Sequence, residues 1–149
     1  REISNDLMPN TLIRKGLVYA IDEFIGKLGN GQIHGETVHG LTISFSHVDV
    51  PELPKNMAIN IYRIIQEIVH NTIKHAKASL LRINVLMKDK KLVLQTEDNG
   101  SGFDYGDASK TSAGFGLRNL VSRTEIMGGD LFIESKKGKG TVYTIEIPV

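Results

Sequence analysis

Cysteine is absent from this 149-residue chain. Disulfides and thiolate metal sites are therefore excluded, and the redox compartment is left open. An excess of either charge is missing too: 18 Lys and Arg stand against 17 Asp and Glu, a formal net charge of +1. That balance gives no support to bulk electrostatic binding of nucleic acid or acidic lipid. No apolar run approaches the roughly 18 residues of a membrane span, no signal peptide is present, and no segment repeats. An initiator methionine is lacking as well. Arg1 opens in the middle of a helical-looking pattern, so the chain is expected to be a fragment of something longer, and the lack of a membrane segment says little about the parent. What is there, 40% hydrophobic and 23% charged residues, suits one soluble globular domain with a small appendage. Its length buries a sizeable core without covalent staples.

Hydrophobic periodicity divides the chain. Residues 1–28 read as helix, interrupted at Pro9 and resuming in "KGLVYAIDEFIGKL", where Leu17, Ala20, Ile21, Phe24, Ile25 and Leu28 recur at helical spacing. "GNGQIHGETVHG" marks a loop, and "LTISFSHV" alternates as a half-buried strand does. A long helix is expected from about Met57 to Ala76. "SLLRINVLM" and "KLVLQTED" flank a hairpin turn, and "NGSGFDYGDASKTSAGFG" over 99–116 reads as a mobile loop. A helix from about Leu117 to Met127, capped by Gly128-Gly129, precedes two strands joined by "KKGKG". Strands and helices mix without regular β-α-β alternation. The fold class expected is α/β, a two-layer sandwich with a mixed sheet.

On the long helix, at about 100° per residue with Asn60 at zero, Glu67 falls near 340°, Asn71 near 20°, Lys74 near 320° and His75 near 60°. Ile65, Val69, Ile73 and Ala76 lie opposite. Most polar helical stripes are solvated faces. Asn, however, is a poor helix former seldom needed at mid-helix on a surface. The chemical alternative is that Asn71 offers a neutral oxygen to a hard cation such as Mg²⁺. Glu67, one turn earlier, orients or deprotonates a nucleophile. Lys74 and His75, one turn later, meet phosphate. These are the parts of a phosphoryl-transfer site.

Two glycine segments follow. In "EDNGSGF", Asp98 ends a strand ahead of Gly100 and Gly102; a turn explains this, but a buried Asp can also accept from an exocyclic amine such as that of adenine, with glycines letting a base approach the backbone. In "GFGLRNL", Gly114 and Gly116 stand just before a helix, whose N-terminal amides favour anions. "GKGT" over 138–141 could alone be only a hairpin turn.

Taken in order, these segments resemble the ATP-binding domain of sensor histidine kinases, a fold shared with gyrase, a heat-shock chaperone and a mismatch-repair ATPase (the GHKL superfamily). "IIQEIVHNTIKHAKA" resembles the family's N box, and "DNGSGF", "GFGLRNL" and "GKGTVYTIEIP" its three glycine boxes, together covering residues 57–149. The pairing of the first with "GFGLRNLVSR" is similar to kinases of the nitrate-sensor and desaturase-sensor type. The resemblance implies helices on one face of the sheet. It implies Asn71 as the Mg²⁺ ligand bridging metal and triphosphate, Glu67 as the acid polarising the attacking group, and Lys74 and His75 beside the phosphates. Asp98 would hold the adenine amino group, with Gly102 permitting close approach and Thr141 nearby through water. Residues 103–115 would form the ATP lid, with Gly114 and Gly116 its hinge and phosphate contact; Gly100, Phe115 and Leu117 are further nucleotide contacts of the same boxes. A separate phenylalanine box is not evident.

The resemblance also implies parts that lie elsewhere. No histidine precedes His34, whereas the family's acceptor sits on the first helix of a dimerising hairpin. Residues 1–28 resemble the end of that hairpin and its linker, with 29–149 as the catalytic domain. The expected function is to bind ATP and Mg²⁺ and, in the intact homodimeric protein, to transfer the γ-phosphoryl group to the hairpin histidine for a response regulator receiver domain. A nucleotide-binding module without catalysis, a serine kinase and an ATP-driven clamp are the alternatives on the same fold; no nucleic acid is implied. The domain is expected to be cytoplasmic, in a parent either soluble or anchored in the bacterial inner membrane. His34, His39 and His47 are expected to be surface residues, not metal ligands.

Overall fold

Period-two alternation becomes five strands in the computed structural model, which describes residues 10–29, 40–103 and 112–149. They are β1 (Thr42–Val48), β2 (Leu80–Lys88), β3 (Lys91–Asp98), β4 (Asp130–Ser135) and β5 (Thr141–Pro148). One sheet holds them in the order β1-β2-β3-β5-β4. β1 and β2 are parallel, and the other neighbouring pairs are antiparallel. Alternation sorts the faces. Leu81, Ile83, Val85, Leu92, Leu94, Tyr143, Ile145 and Ile147 are buried on one; Arg82, Gln95 and Glu97 are exposed on the other.

The helices are α1 (Asn10–Lys15), α2 (Leu17–Gly29), α3 (Lys55–Asn71) and α4 (Ser112–Ile126), with a π-helical turn over Thr72–Ala76. Ile21 of α2, Ile61, Ile64, Ile65 and Ile68 of α3 and Leu120 of α4 are fully buried in the same cluster as the sheet residues. Each such side chain stabilises the fold by about 1.5–3 kcal/mol. The result is the mixed-sheet, two-layer α/β sandwich that the periodicity implied, with helices on one face.

Three helix boundaries differ from expectation. Gly16, at φ +95, separates α1 from α2. Its N–H caps α1 by donating to Thr11 and Leu12 carbonyls, and its own carbonyl accepts from Ala20 to open α2. Glycine takes this left-handed conformation at no steric cost. The long helix gives way after Asn71 to the π turn. And α4 begins at Ser112, so Gly114 and Gly116 lie inside its first turns and not ahead of it. Each glycine costs a helix about 1 kcal/mol, which the buried Leu117 and Leu120 outweigh. The far end of α4 is as expected: the Gly128 N–H donates to Glu125 and the Gly129 N–H to Thr124, with Gly128 at φ +71, a Schellman cap.

Strand directions also fix the helix directions. α3 joins the parallel pair β1 and β2, so it runs back against both. β3 and β4 are each antiparallel to β5 and hence run the same way, opposite to β2. α4, joining β3 to β4, therefore runs antiparallel to α3. The C-terminal end of α3 and the N-terminal end of α4 meet the same end of the sheet as Asp98.

The β2–β3 hairpin closes through Asp89 and Lys90, both at positive φ (53° and 65°), as in a type I′ turn. A left-handed lysine costs about 1–2 kcal/mol. Lys90→Gly is expected to raise the unfolding free energy by about 1 kcal/mol in urea denaturation; a less stable variant would contradict this turn geometry.

Candidate functional site

Asp98 is the last residue of β3 and its side chain falls on the helix-covered face, where it is 7% exposed. Burial pushes its carboxyl above the ordinary carboxylate range, and the charge of Glu97 adds to this. Backbone N–H groups of Gly100 and Thr141 donate to the carboxylate and pull the other way; the Gly100 contact is 2.8 Å. An acid so placed is an acceptor already oriented by backbone, with desolvation making any further donor more valuable. Tyr143, two residues along β5, has its phenol pushed up to about 12 by burial and then by the Asp98 charge.

The turn between β4 and β5 clamps this acid. Gly140, at φ +81, brings its Cα so close to Asp98 that a Cβ would stand 2.1 Å from the Asp98 carbonyl oxygen. Gly102, at φ +63, is crowded the same way by the Lys136 carbonyl at 2.1 Å and the Gly140 carbonyl at 2.8 Å. The Gly138 N–H donates to the Ser101 carbonyl at 2.5 Å. Ser135 ties the two segments together: its Oγ accepts from the Phe103 N–H at 2.9 Å and shares a 2.7 Å hydrogen bond with Thr141 Oγ1. The first and third glycine segments are thus one structural unit. The closeness that Gly102 permits in the structure is to the chain's own backbone.

On the other flank, Asn99 Oδ1 accepts from the N–H groups of Ser79 and Leu80 at 2.9 and 3.0 Å. That locks the end of β3 to the segment following the π turn. α3 therefore delivers Asn71 and Lys74 to the Asp98 end of the sheet, with Glu67 one turn below. Glu67 and Asn71 are half-buried and Lys74 is exposed. Thr72, buried, returns its hydroxyl to the Ile68 carbonyl at 2.8 Å. The wider π turn takes Lys74 off the arc computed at 100° per residue, while Glu67 and Asn71 keep the expected alignment; such turns recur at functional sites. The His75 side chain, the side chains of residues 112–116, Phe115 among them, and residues 104–111 lie outside the described set. Leu117, 8% exposed, belongs to the hydrophobic core, which leaves only its backbone for a ligand. His47 is exposed on β1, and His34 and His39 lie outside the described residues.

Among the described residues no three His, Cys, Asp or Glu side chains cluster as a metal cage. Mg²⁺ needs none where phosphates supply its other ligands, so the amide oxygen of Asn71 with Glu67 one turn away fits that ion. No helix among the described residues is long and apolar enough to cross a membrane.

Asn60 and Arg123 escaped the sequence reading as a pair. Arg123 on α4 donates through Nη1 to Asn60 Oδ1 at 3.1 Å, and Asn60 Nδ2 donates to the Asn56 carbonyl at 2.9 Å. Burial and then Arg63 push the guanidinium down from its ordinary value, while Glu67 pushes it up. Sixty-odd residues of separation hid the pairing; only the α3–α4 packing reveals it. A cavity of about 460 Å³ lies elsewhere, lined by Leu12, Gly16, Tyr19, Pro51, Leu53 and neighbours. None of the residues singled out for chemistry lines it.

Residues 56–149 match the family described as Histidine kinase-, DNA gyrase B-, and HSP90-like ATPase. Over its whole length the chain is 31% identical to the signal transduction histidine-protein kinase/phosphatase DegS of Brevibacillus brevis. It is 25% identical to the oxygen sensor histidine kinase NreB of Staphylococcus carnosus, again over its whole length. It spans 36% and 41% of those relatives. A blue-light activated histidine kinase of Erythrobacter litoralis superposes with a TM-score of 0.70 at 20% identity, covering 89% of this chain and 41% of its own; at that identity the likeness is one of fold.

Gly102→Ala and Gly140→Ala are each expected to destabilise the chain. The left-handed conformation accounts for about 1–2 kcal/mol, and the backbone collisions add to it. A urea midpoint unchanged in either variant would contradict the clamp.

Proposed function

This chain belongs to the Histidine kinase-, DNA gyrase B-, and HSP90-like ATPase family, matched over residues 56–149, and from that premise we propose that it binds ATP with Mg²⁺ at the Asp98 end of its sheet. Within a longer homodimeric parent, it presents the γ-phosphoryl group to a histidine on an upstream helical hairpin, from which a response regulator receiver domain takes it. We read residues 1–28, of which 1–9 lie outside the described residues, as the end of that hairpin and its linker, and residues 29–149 as the catalytic domain. We place that domain in the cytoplasm.

One observation carries the reading. A buried carboxylate held by two backbone N–H groups shares one end of the sheet with the half-buried Glu67 and Asn71 of α3. The first is an acceptor for the adenine amino group; the second pair is what a triphosphate and its metal require. Gly100 and Thr141 fix the Asp98 carboxylate from their backbones, so the base meets a rigid acceptor. Asn71 Oδ1 would hold the metal. When bound, the cation would neutralise charge on the phosphates. Lys74 and His75 sit beside the phosphates, and the first turn of α4 offers them its free amides, that of Gly114 included, whereas the Gly116 N–H lies one turn inside the helix. Glu67 takes the proton from the imidazole nitrogen that carries it as the other, unprotonated ring nitrogen bonds to the γ-phosphorus. The bond from that phosphorus to the bridging oxygen breaks, and ADP leaves. Little covalent chemistry falls to the protein, whose contribution is position and charge.

Asp98→Asn is expected to weaken ATP binding about ten- to a hundredfold, the worth of one charge-assisted hydrogen bond, without loss of fold, because the amide escapes the burial cost of a carboxylate. Calorimetric titration decides it, and unchanged affinity removes Asp98 from the site. The 149-residue chain with γ-labelled ATP should take up no stable label, since the acceptor lies upstream. It should pass label to an acceptor-bearing hairpin supplied in trans. Stable label on the chain itself would contradict the assignment, and binding without transfer to any hairpin would favour the non-catalytic alternative.

A further inference from the structure

We propose that Arg123, anchored on Asn60, is a positioning residue that sets the phosphate-binding end of α4 against Glu67 and Asn71 of α3. The inference rests on the nucleotide-binding reading above and adds to it the part that joins its two helices. The 3.1 Å bond from Arg123 Nη1 to Asn60 Oδ1 crosses between them. Because α3 and α4 run antiparallel, that contact fixes their register. Stepping seven residues along each helix, forward from Asn60 and back from Arg123, reaches Glu67 and Gly116, about 10.5 Å from the contact. Stepping eleven reaches Asn71 and Ser112. The brace thus holds the glycine-bearing first turns of α4 level with the two residues that face metal and nucleophile.

Both ends of the brace are themselves held. Asn60 is tied to its own helix through the Asn56 carbonyl at 2.9 Å, so its amide cannot swing away. Arg123 is half-buried and stands among Arg63 and Glu67. The charge of Arg63 repels it and that of Glu67 attracts it. A guanidinium suits this place: its planar fork gives one N–H to Asn60 while its charge persists despite burial. The adenine end depends on none of this. Asp98, Gly102 and Thr141 are set by the β3–β5 pairing and the Gly140 turn. The brace should therefore matter for the phosphates and not for the base.

That division supplies the test. Dissociation constants of the 149-residue chain are measured for a non-hydrolysable ATP analogue with Mg²⁺ and for AMP. The variants are Arg123→Gln, Arg123→Lys, Asn60→Ala and the double Arg123→Gln/Asn60→Ala, with thermal melting of each. Arg123→Gln and Asn60→Ala should each weaken the ATP analogue about fivefold or more and AMP less than about twofold, as for one lost hydrogen bond acting on the phosphates alone. The double variant should be no weaker than the worse single one, and Arg123→Lys should recover part of the loss. Asn60→Ala places the best helix former at a half-buried position on the polar side of α3, so it folds even if Arg123→Gln does not. Equal weakening of both ligands, weakening of neither, or additive losses would overturn the proposal. A parent chain that binds neither ligand overturns the nucleotide-binding reading itself, a result distinguishable from the failure of the brace.

Discussion

The candidate site depends on how closely the Gly140 backbone approaches the end of β3. No side chain fits between Gly140 and the Asp98 carbonyl, or between Gly102 and the Lys136 carbonyl. That closeness lets the Thr141 N–H reach the Asp98 carboxylate. It also brings Ser135 within reach of Phe103 and Thr141. A carboxylate buried without such donors would neutralise by taking a proton. Here burial raises its affinity for a proton while two backbone N–H groups resist, leaving an acceptor that is both desolvated and oriented.

The polar stripe of α3 takes its meaning from this arrangement. An amide and a carboxylate on a half-buried helical face have an ordinary explanation in solvation. Their address changes that. The chain returns from Ala76 through Ser79 to β2, and Asn99 grips that return with bonds to Ser79 and Leu80. Asn71 is thereby delivered to the end of the sheet where Asp98 stands. α4, running the other way, brings its first turns to the same place, and the Asn60–Arg123 bond holds the two helices in register.

Much of this was legible in the sequence, and the exceptions have physical reasons. Alternation in "SLLRINVLM", "KLVLQTED" and "TVYTIEIPV" identified strands because one sheet face is buried and the other wet. Gly128-Gly129 identified a helix end because only glycine completes a Schellman cap without strain. Gly114 and Gly116 misled as to where α4 begins, since glycine reads as punctuation but is tolerated in the first two turns of a helix. The π turn after Asn71 leaves no signal in composition, so Lys74 was placed on an arc it does not keep. Gly102 was read as room for a base, whereas the chain's own backbone crowds it. Asn60 and Arg123 are unremarkable residues on their own helices, and only tertiary packing makes them partners.

Amide chemical-shift mapping of the chain titrated with Mg²⁺ and a non-hydrolysable ATP analogue would decide where the nucleotide sits. Perturbations are expected at Gly100, Gly102, Gly140 and Thr141 around Asp98, continuing to Asn71 and Lys74 and to the first turns of α4. Perturbations confined to the cavity lined by Leu12, Gly16, Tyr19, Pro51 and Leu53 would contradict this placement of the site.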